Sequence, residues 1–536
     1  MEQIKKAIEE SAIGTIIPFT KELDYAINPV EYFAKLSDYG RKENCILLES
    51  AEILTKYGEK SIGTADPCII VRGKGDSFKI DALNSLGKRI LNHINENFSF
   101  CSSIEIREDS IKGQLKRQKK ETSEQERLKE ITLMDVLRAL VFAFKLESKP
   151  VPICCGLFGM ISYDFIDQFE NLPLYKEKLY NDSDYELIFA DNLFYIDHQK
   201  NKTVFIANAF KLDDACAAEA ERVMNILNRY ENALDQAIPK KRQFETIQGT
   251  IQSDTTKEEY IKNVEKLKDH ILQGDILQVV LSRTIIADIN SEEFDIYSAL
   301  KKKNPSPYMF YFRTSGSTLI GASPERCIAV SNSGSRKIVE IRPIAGTKPR
   351  GFANGKIDND LDSRYEAELK TDLKELAEHT MLIDLARNDV AKISMPGTRE
   401  VTEPFSIEKY SHVQHLVSTV QGILKPDLDM FSAYLATMNM GTLTGAPKIE
   451  AMKLIRRYEK TKRGFYGGAI GYFTPGGEMD SAITIRTMKI AGKKAYVRVG
   501  AGIVHDSIAI KEFIETEKKA KACADTIAEA GGVEYE

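Results

Sequence analysis

The chain has 536 residues, 43% hydrophobic and 29% charged, with 74 Lys and Arg against 79 Asp and Glu, a net charge of −5 and a pI near 6.0. That is the make-up of an ordinary soluble globular protein, long enough for two large domains or three smaller ones, and it holds no general attraction for nucleic acid. No apolar run of about 18 residues is present to span a membrane, and the polar start MEQIKKAIEESAIG lacks the apolar core of a secretory signal.

In chain order, NCILLESAEI (44–53) predicts a buried strand running into polar residues. KGQLKRQKK (112–120), followed by ETSEQERLKE (121–130), reads as a solvated surface insertion within 107–130, because its charges are of mixed sign and no aromatic interleaves them. CCGLFGMISYDFIDQFENLP (154–173) predicts a Gly-rich strand turning into a helix. LIFADNLFYIDHQKNKTVFIANAF (187–210) predicts a hairpin of two apolar strands around DHQKNK, and 213–237 a long amphipathic helix. The polar stretch 238–256 has no helical period and marks a domain boundary.

Beyond it, Thr255 or Thr256 with Glu258 or Glu259 resembles a capping box at the head of the helix YIKNVEKLKDHILQG. Strands follow: ILQVVLSRTI, YMFYFRT, TLIGAS, CIAVSN and VEIRPIAGTKPRG (339–351), the last delivering a small Ala345-Gly346-Thr347 tip beside Lys348 and Arg350. A helical block runs through 361–391. GGAIGYFT, MDSAITIRTMKI and KAYVRVGAGIV predict a three-stranded meander, and 510–531 a last helix. The second half is thus antiparallel β with helices outside, an α+β fold. GxGxxG after a strand, a Walker loop and HExxH are all absent.

Two helices carry the same device: Glu375 with Glu378, and Glu512 with Glu515, each pair three residues apart and so on one helix face, with Lys519 four beyond Glu515. Either pair alone reads as a solvated face. Together, carboxylates from two helices suit a hard cation such as Mg²⁺, which takes oxygen ligands and leaves room for water and an anionic substrate. Gly500, Ala501 and Gly502 let backbone N–H groups approach an anion, and Arg486 offers a fork for a carboxylate. Tyr466 precedes Gly467-Gly468, His412 and His415 lie three apart, GTLTGAPK (441–448) resembles an anion-binding turn or a helix start, and GASPER places Glu325 after a turn. The eight cysteines show no CxxC and no repeated spacing, so they read as reduced thiols of a cytoplasmic protein.

The ordered set NPSPYMFYF, GASPE, PIAGTKPRG, DLARND, NMGTLTGAPK, YGGAIGYF and GAGIVHDS resembles the chorismate-utilising enzyme family, over about residues 44–520 and most densely after Tyr260. Within that family the likeness is to the large subunits that form anthranilate, the first committed step towards tryptophan. The resemblance implies a large antiparallel β-sandwich core with surrounding helices, an N-terminal regulatory domain over 1–245 and a catalytic chorismate-binding domain over 246–536. It implies Mg²⁺ on Glu378 and Glu515, supported by Glu375 and Glu512. Substrate contacts would come from Gly346, Thr347, Tyr466, Arg486, Gly500, Ala501, Gly502 and Lys519. Glu325 would protonate the departing C4 hydroxyl, with His415 and Thr442 beside the later step.

Relatives that make aminodeoxychorismate carry a nucleophilic lysine where this chain has Ala345, and those that make isochorismate or salicylate carry a lysine base where it has Gln278. Both departures favour ammonia as nucleophile over those alternatives. Retention of all four glutamates argues against a non-catalytic amino-acid sensor. No cysteine sits in a GxCxG elbow, so a separate glutamine amidotransferase subunit is expected, making a hetero-oligomer such as a heterotetramer. LLES (47–50) with NPSPYM (304–309) matches the family's tryptophan-inhibition site, making Ser50, Pro307, Tyr308 and Met309 inhibitor contacts. The chain itself contains no tryptophan, against 22 Tyr and 24 Phe, which chance and codon bias explain as readily as a need to make the protein when tryptophan is scarce.

Overall fold

The computed structural model describes residues 1–536 except 51–59, 117–123, 176, 178, 180–181, 354, 411–412 and 536. His412 and the end of the 44–53 stretch therefore lie outside the described residues.

Among the described residues two thirteen-stranded sheets dominate, almost wholly antiparallel. Each draws strands from both sides of 238–256. In the first sheet, Tyr308–Arg313 pairs with Cys45–Glu49, Met309 opposite Glu49 and Arg313 opposite Cys45. In the second, Ala469–Phe473 pairs with Gly156–Ile161, Ile470 opposite Met160. The inward faces share one core: Ile46, Phe310, Phe312 and Leu319 from the first sheet meet Phe158, Ile161, Ile328 and Ile483 from the second. This is a β-sandwich, held by alternation of apolar residues that face inward on both sheets. Helices cover the outer face of the first sheet through a second core that includes Phe33, Leu227, Tyr297 and Ile527. The Lys257–Leu272 helix begins as its capping signal predicts, with Thr256 accepting from the Glu259 N–H at 3.2 Å, and buries Tyr260, Val264 and Leu267 along one stripe. Among the described residues no helix is long and apolar enough to cross a membrane.

Four local expectations are corrected. The 187–210 stretch holds parts of three strands, not two. Tyr185–Ala190 lies in the second sheet, and the chain crosses at Asp191 to Asn192–Asp197 and Lys202–Lys211 in the first. Asp191, 1% exposed, is held there by Arg222 at 2.7 Å. MDSAITIRTMKI likewise divides into Met479–Ile483 in the second sheet and Thr487–Ala491 in the first. The corner contains Arg486 at φ +51°, so the expected meander is two hairpins, one per sheet. The segment after Gly156–Ile161 is a short 3₁₀ helix, Tyr163–Gln168. Finally, Ser110–Leu115 within the supposed insertion is a strand between Ser77–Ala82 and Cys101–Ile106, because Ile111 and Leu115 supply a buried face among the lysines.

Candidate active site and a second cavity

Each acidic pair rides on a helix packed against a different sheet. The Leu373–Ile393 helix lies on the strands Ile344–Pro349 and Val413–Ile423 of the second sheet. Asp372 caps its first turn, accepting from the Lys374 and Glu375 N–H groups at 3.0 and 3.3 Å. Buried His379 fastens it to the strand, its Nε2 2.7 Å from Ser418 Oγ. The Ala509–Ala530 helix packs on Lys494–Ile503 of the first sheet, burying Phe513, Thr516 and Ala520. The faces left over carry the same spacing: Glu375, Glu378 and Leu382 on one helix, Glu512, Glu515 and Lys519 on the other. All six line one cavity of about 410 Å³ between the sheets.

That cavity also collects Glu325, Gly346, Thr347, His415, Thr442, Tyr466, Arg486, Gly500 and Gly502. Of the expected substrate and catalytic residues only Ala501 is not among its lining. It is fully buried opposite Leu281 and, one residue out of phase with Gly500 and Gly502, faces the other side of the strand. Ala345 and Gln278 line the same cavity, as do Lys374, Pro324 and Ile344, which the sequence did not single out.

The glycines are required by close approach. Gly346 has φ +67°, and a Cβ there would sit 2.8 Å from Leu369 Cδ1 and 3.0 Å from Glu375 Oε2. A Cβ on Gly500 would lie 2.8 Å from the Tyr466 hydroxyl and 2.9 Å from the Leu281 carbonyl. His415 Nδ1 stands 3.1 Å from the Gly346 carbonyl and 3.0 Å from Thr347 Oγ1. A carbonyl can only accept, so Nδ1 carries the proton in that contact. Lys519 bridges the Gly500 carbonyl at 3.1 Å and Glu515 at 3.0 Å.

The charges are far from their behaviour in water. Glu325 is 6% exposed, and burial pushes its carboxyl up to about 7 against the weaker pull of Thr442, Arg486 and Lys519. Burial and then neighbouring carboxylates raise Glu375 and Glu378, and burial together with Glu515 raises Glu512. Burial alone would raise Glu515 too, but Lys519, Arg486 and Lys518 outweigh it and hold it below the usual range. Burial lowers His415, keeping the imidazole neutral, and lowers Lys519. Among the described residues no three acidic, His or Cys side chains close on one point tightly enough to hold a metal unaided.

Beside the cavity lies a cluster that sequence reasoning missed. Glu459, Arg463 and Arg498 are essentially unexposed. Glu459 accepts from Arg463 at 2.7 Å, Arg498 at 2.8 Å and Ser282 at 2.7 Å, while Arg463 also donates to the Leu443 and Val280 carbonyls at 2.6 and 2.7 Å. The cluster lies against the wall of the cavity, whose lining includes Val280, Leu443, Tyr466 and Gly500.

A second cavity of about 240 Å³ opens between the sheets at the seam of the two halves. Ser50, Pro307, Tyr308 and Met309 all line it, with Glu49, Arg326, Arg342, Tyr410, Tyr472 and Asp480. Arg326 donates to the Tyr308 hydroxyl at 2.7 Å and pairs with Asp480 at 3.1 Å. Pro324 and Ile344 line both cavities and so form a shared wall.

A family model described as chorismate binding enzyme matches residues 97–525. The chain belongs to the chorismate-binding enzyme family. Its likeness to members of that family runs the full length. It is 39% identical to anthranilate synthase component 1 of Vibrio parahaemolyticus over 98% of this chain and 95% of the relative. It is 39% identical to anthranilate synthase component 1 of Escherichia coli K12 over 96% and 98%. The crystal structure of anthranilate synthase component I from Streptococcus pneumoniae matches with a TM-score of 0.68 at 30% identity, covering 87% of this chain and 92% of that one. The menaquinone-specific isochorismate synthase of Escherichia coli shares the fold, with a TM-score of 0.63 at 15% identity and 98% of each chain covered. The sandwich expected from the chorismate-utilising family is the fold found.

Proposed function

We propose that this chorismate-binding enzyme converts chorismate and ammonia to anthranilate, pyruvate and water, a lyase reaction (EC 4.1.3.27) at the head of tryptophan biosynthesis. The observation that carries the reading is the content of the larger cavity. Cations Arg486, Lys519 and Lys374 suit a dianion, a buried carboxylic acid faces it, and positions 345 and 278, where the resemblance implies lysine for other nucleophiles, are Ala and Gln and both line it.

The residues divide the work. Arg486, Tyr466, Lys519 and the backbone at Gly500 and Gly502 would hold the two substrate carboxylates. Gly346 and Thr347 would pack on the ring. Glu325, half-protonated near pH 7, would give its proton to the departing C4 hydroxyl, which leaves as water. Ammonia forms the bond to C2 as the ring double bonds shift towards C4. The C2 proton is then lost, the enolpyruvyl C–O bond breaks, its methylene takes up a proton to become pyruvate, and the ring becomes aromatic. Neutral His415, fixed through Gly346, and Thr442 stand beside this second step.

Glu378 and Glu515, supported by Glu375 and Glu512, would hold Mg²⁺. Oxygen donors on two helices, three of them with carboxyls raised, fit a hard cation whose shell is completed by substrate and water oxygens. When bound, the ion would neutralise the ring carboxylate.

Ammonia would come from a glutamine amidotransferase partner in a cytoplasmic hetero-oligomer. The chain's own thiols are poor nucleophile candidates: burial pushes Cys45, Cys154, Cys327 and Cys523 up to about 12. The second cavity, with its aromatic walls and its Arg326–Asp480 pair, would take tryptophan as inhibitor through Ser50, Pro307, Tyr308 and Met309. The test is product identification: purified protein with chorismate, Mg²⁺ and ammonium should yield fluorescent anthranilate. Formation of 4-amino-4-deoxychorismate or isochorismate would overturn the assignment.

A further inference from the structure

The wall between the two cavities keeps a hold on one reacting group. His415, in the larger cavity, is fixed on one side by the Gly346 carbonyl and Thr347. Its ring also meets that of Tyr410 edge-to-face, with centroids 5.4 Å apart and planes at 65°. Tyr410 is 5% exposed and lines the smaller cavity. A side chain of one cavity thus rests on a side chain of the other.

The hairpin of Glu400–Lys409 and Val413–Ile423 sets this up. It places Glu408 opposite His415, and the Tyr410 N–H donates to the Val413 carbonyl at 2.8 Å. Arg350, forked on Asp362 at 2.8 and 3.1 Å, donates to the Tyr410 carbonyl at 2.7 Å. At the far end of the ring the hydroxyl donates to one oxygen of Glu408 at 3.0 Å, and the other oxygen of Glu408 takes Arg342. Arg342 and Glu408 are both buried, and Arg342 lines the smaller cavity with Tyr410. Parting a buried pair is costly, so the ring is held at both ends while the pair is intact.

Pro324 and Ile344, common to both linings, are apolar and exert no directional hold on a reacting group. Tyr410 does. A ligand in the smaller cavity meets Arg342 and Tyr410 together, and a ligand carboxylate can draw the guanidinium from Glu408. Resting on the reading that the smaller cavity takes tryptophan and that His415 serves the later step, we infer that Tyr410 is a positioning residue for His415 and that an occupant of the smaller cavity slows the reaction through it. Tryptophan does so by binding more tightly where the Arg342–Glu408–Tyr410 hold is loosened.

Steady-state kinetics with chorismate, Mg²⁺ and ammonium, paired with calorimetric titration of tryptophan, test this. Tyr410→Phe keeps the ring and removes its anchor. Without tryptophan its kcat should fall roughly threefold to tenfold, the worth of about one hydrogen bond, while the KM for chorismate stays within about twofold. At saturating tryptophan, the surviving fraction of its own uninhibited rate should be roughly tenfold that of wild type or more. Tyr472→Phe alters a tyrosine of the same cavity that packs against Phe158 instead, and it should reach the wild-type limit of inhibition. Inhibition of Tyr410→Phe to the wild-type limit overturns the coupling, as does an equal loss of inhibition in Tyr472→Phe. A chorismate KM that rises while kcat holds overturns the positioning role. Should Tyr410→Phe fail to fold or to bind tryptophan, Glu408→Gln, which removes the charge that holds Arg342, is read by the same criteria. A wild-type chain that binds no tryptophan defeats the reading of the cavity and the coupling with it. Wild type that is bound and inhibited, with Tyr410→Phe sharing its limit, defeats the coupling alone.

Discussion

The two cavities lie between the same pair of sheets, yet their linings differ in kind. The larger one sets four glutamates against Arg486, Lys519 and Lys374 and keeps one acid, Glu325, away from water. In the smaller one Arg326 pairs with Asp480 and Arg342 with Glu408, and the tyrosines 308, 410 and 472 line the space between. A surplus of like charge needs a charged ligand to relieve it, as a reacting site does. Matched charge and aromatic surface bind a ligand without altering it. Because Pro324 and Ile344 belong to both linings, a ligand in the smaller cavity would contact the residues next to Glu325 and Ala345. A ligand there can act on the larger cavity only if it binds the two states of that wall unequally.

The sharpest way to break the contrast is Glu325→Gln. The rate of anthranilate formation should fall by roughly 10²–10⁴. Stability should move the other way. The folded carboxyl titrates near 7, above its ordinary 4.5, so it favours the fold fully below about pH 4.5 and loses that advantage as pH rises through about 7. The variant should therefore be more stable than wild type at pH 8, by up to about 3 kcal/mol, and the two should converge towards pH 5. Thermal unfolding at both pH values reads this, and equal midpoint differences at the two would contradict it. The wild-type rate at saturating free ammonia should also decline above a pH near or above 7, and Glu325→Gln should lack that limb.

Gly500→Ala comes next. Its new methyl meets the Tyr466 hydroxyl and the Leu281 carbonyl inside normal contact, an overpacking of about 1–3 kcal/mol. The chorismate KM should rise roughly tenfold or more, and an unaltered KM would remove this strand from the carboxylate site. The smallest effect on uninhibited turnover is expected from Ser50→Phe, which fills the second cavity: rates within about twofold of wild type, with tryptophan inhibition relieved. Inhibition persisting unchanged would place the effector elsewhere.

Much of this was legible in the residues because chemistry and spacing coincide. Glu375/Glu378 and Glu512/Glu515 are helical neighbours in sequence, and Thr256 announces its helix. What could not be read is which sheet a strand joins. Alternation does not mark the crossing at Asp191 or at Arg486, where the chain passes at the buried Arg222–Asp191 contact and at the left-handed turn of Arg486. The Glu459–Arg463–Arg498 cluster was hidden for a related reason. Charged residues read as solvated until their partners are known, and Arg498 lies 39 residues from Glu459. The lining from two helices had a signal that was only half used: the glutamate pairs extend by four residues to Leu382 and Lys519.

The proposed reaction requires acidic helices from opposite sheets to serve one ligand through one cation. Calorimetric titration of chorismate into wild type, Glu378→Gln and Glu515→Gln, each with and without Mg²⁺ and with no ammonia, measures this directly. Tight binding by wild type only when Mg²⁺ is present, with that dependence lost in both variants, is the predicted result. Chorismate binding that depends equally on Mg²⁺ in all three proteins would contradict it.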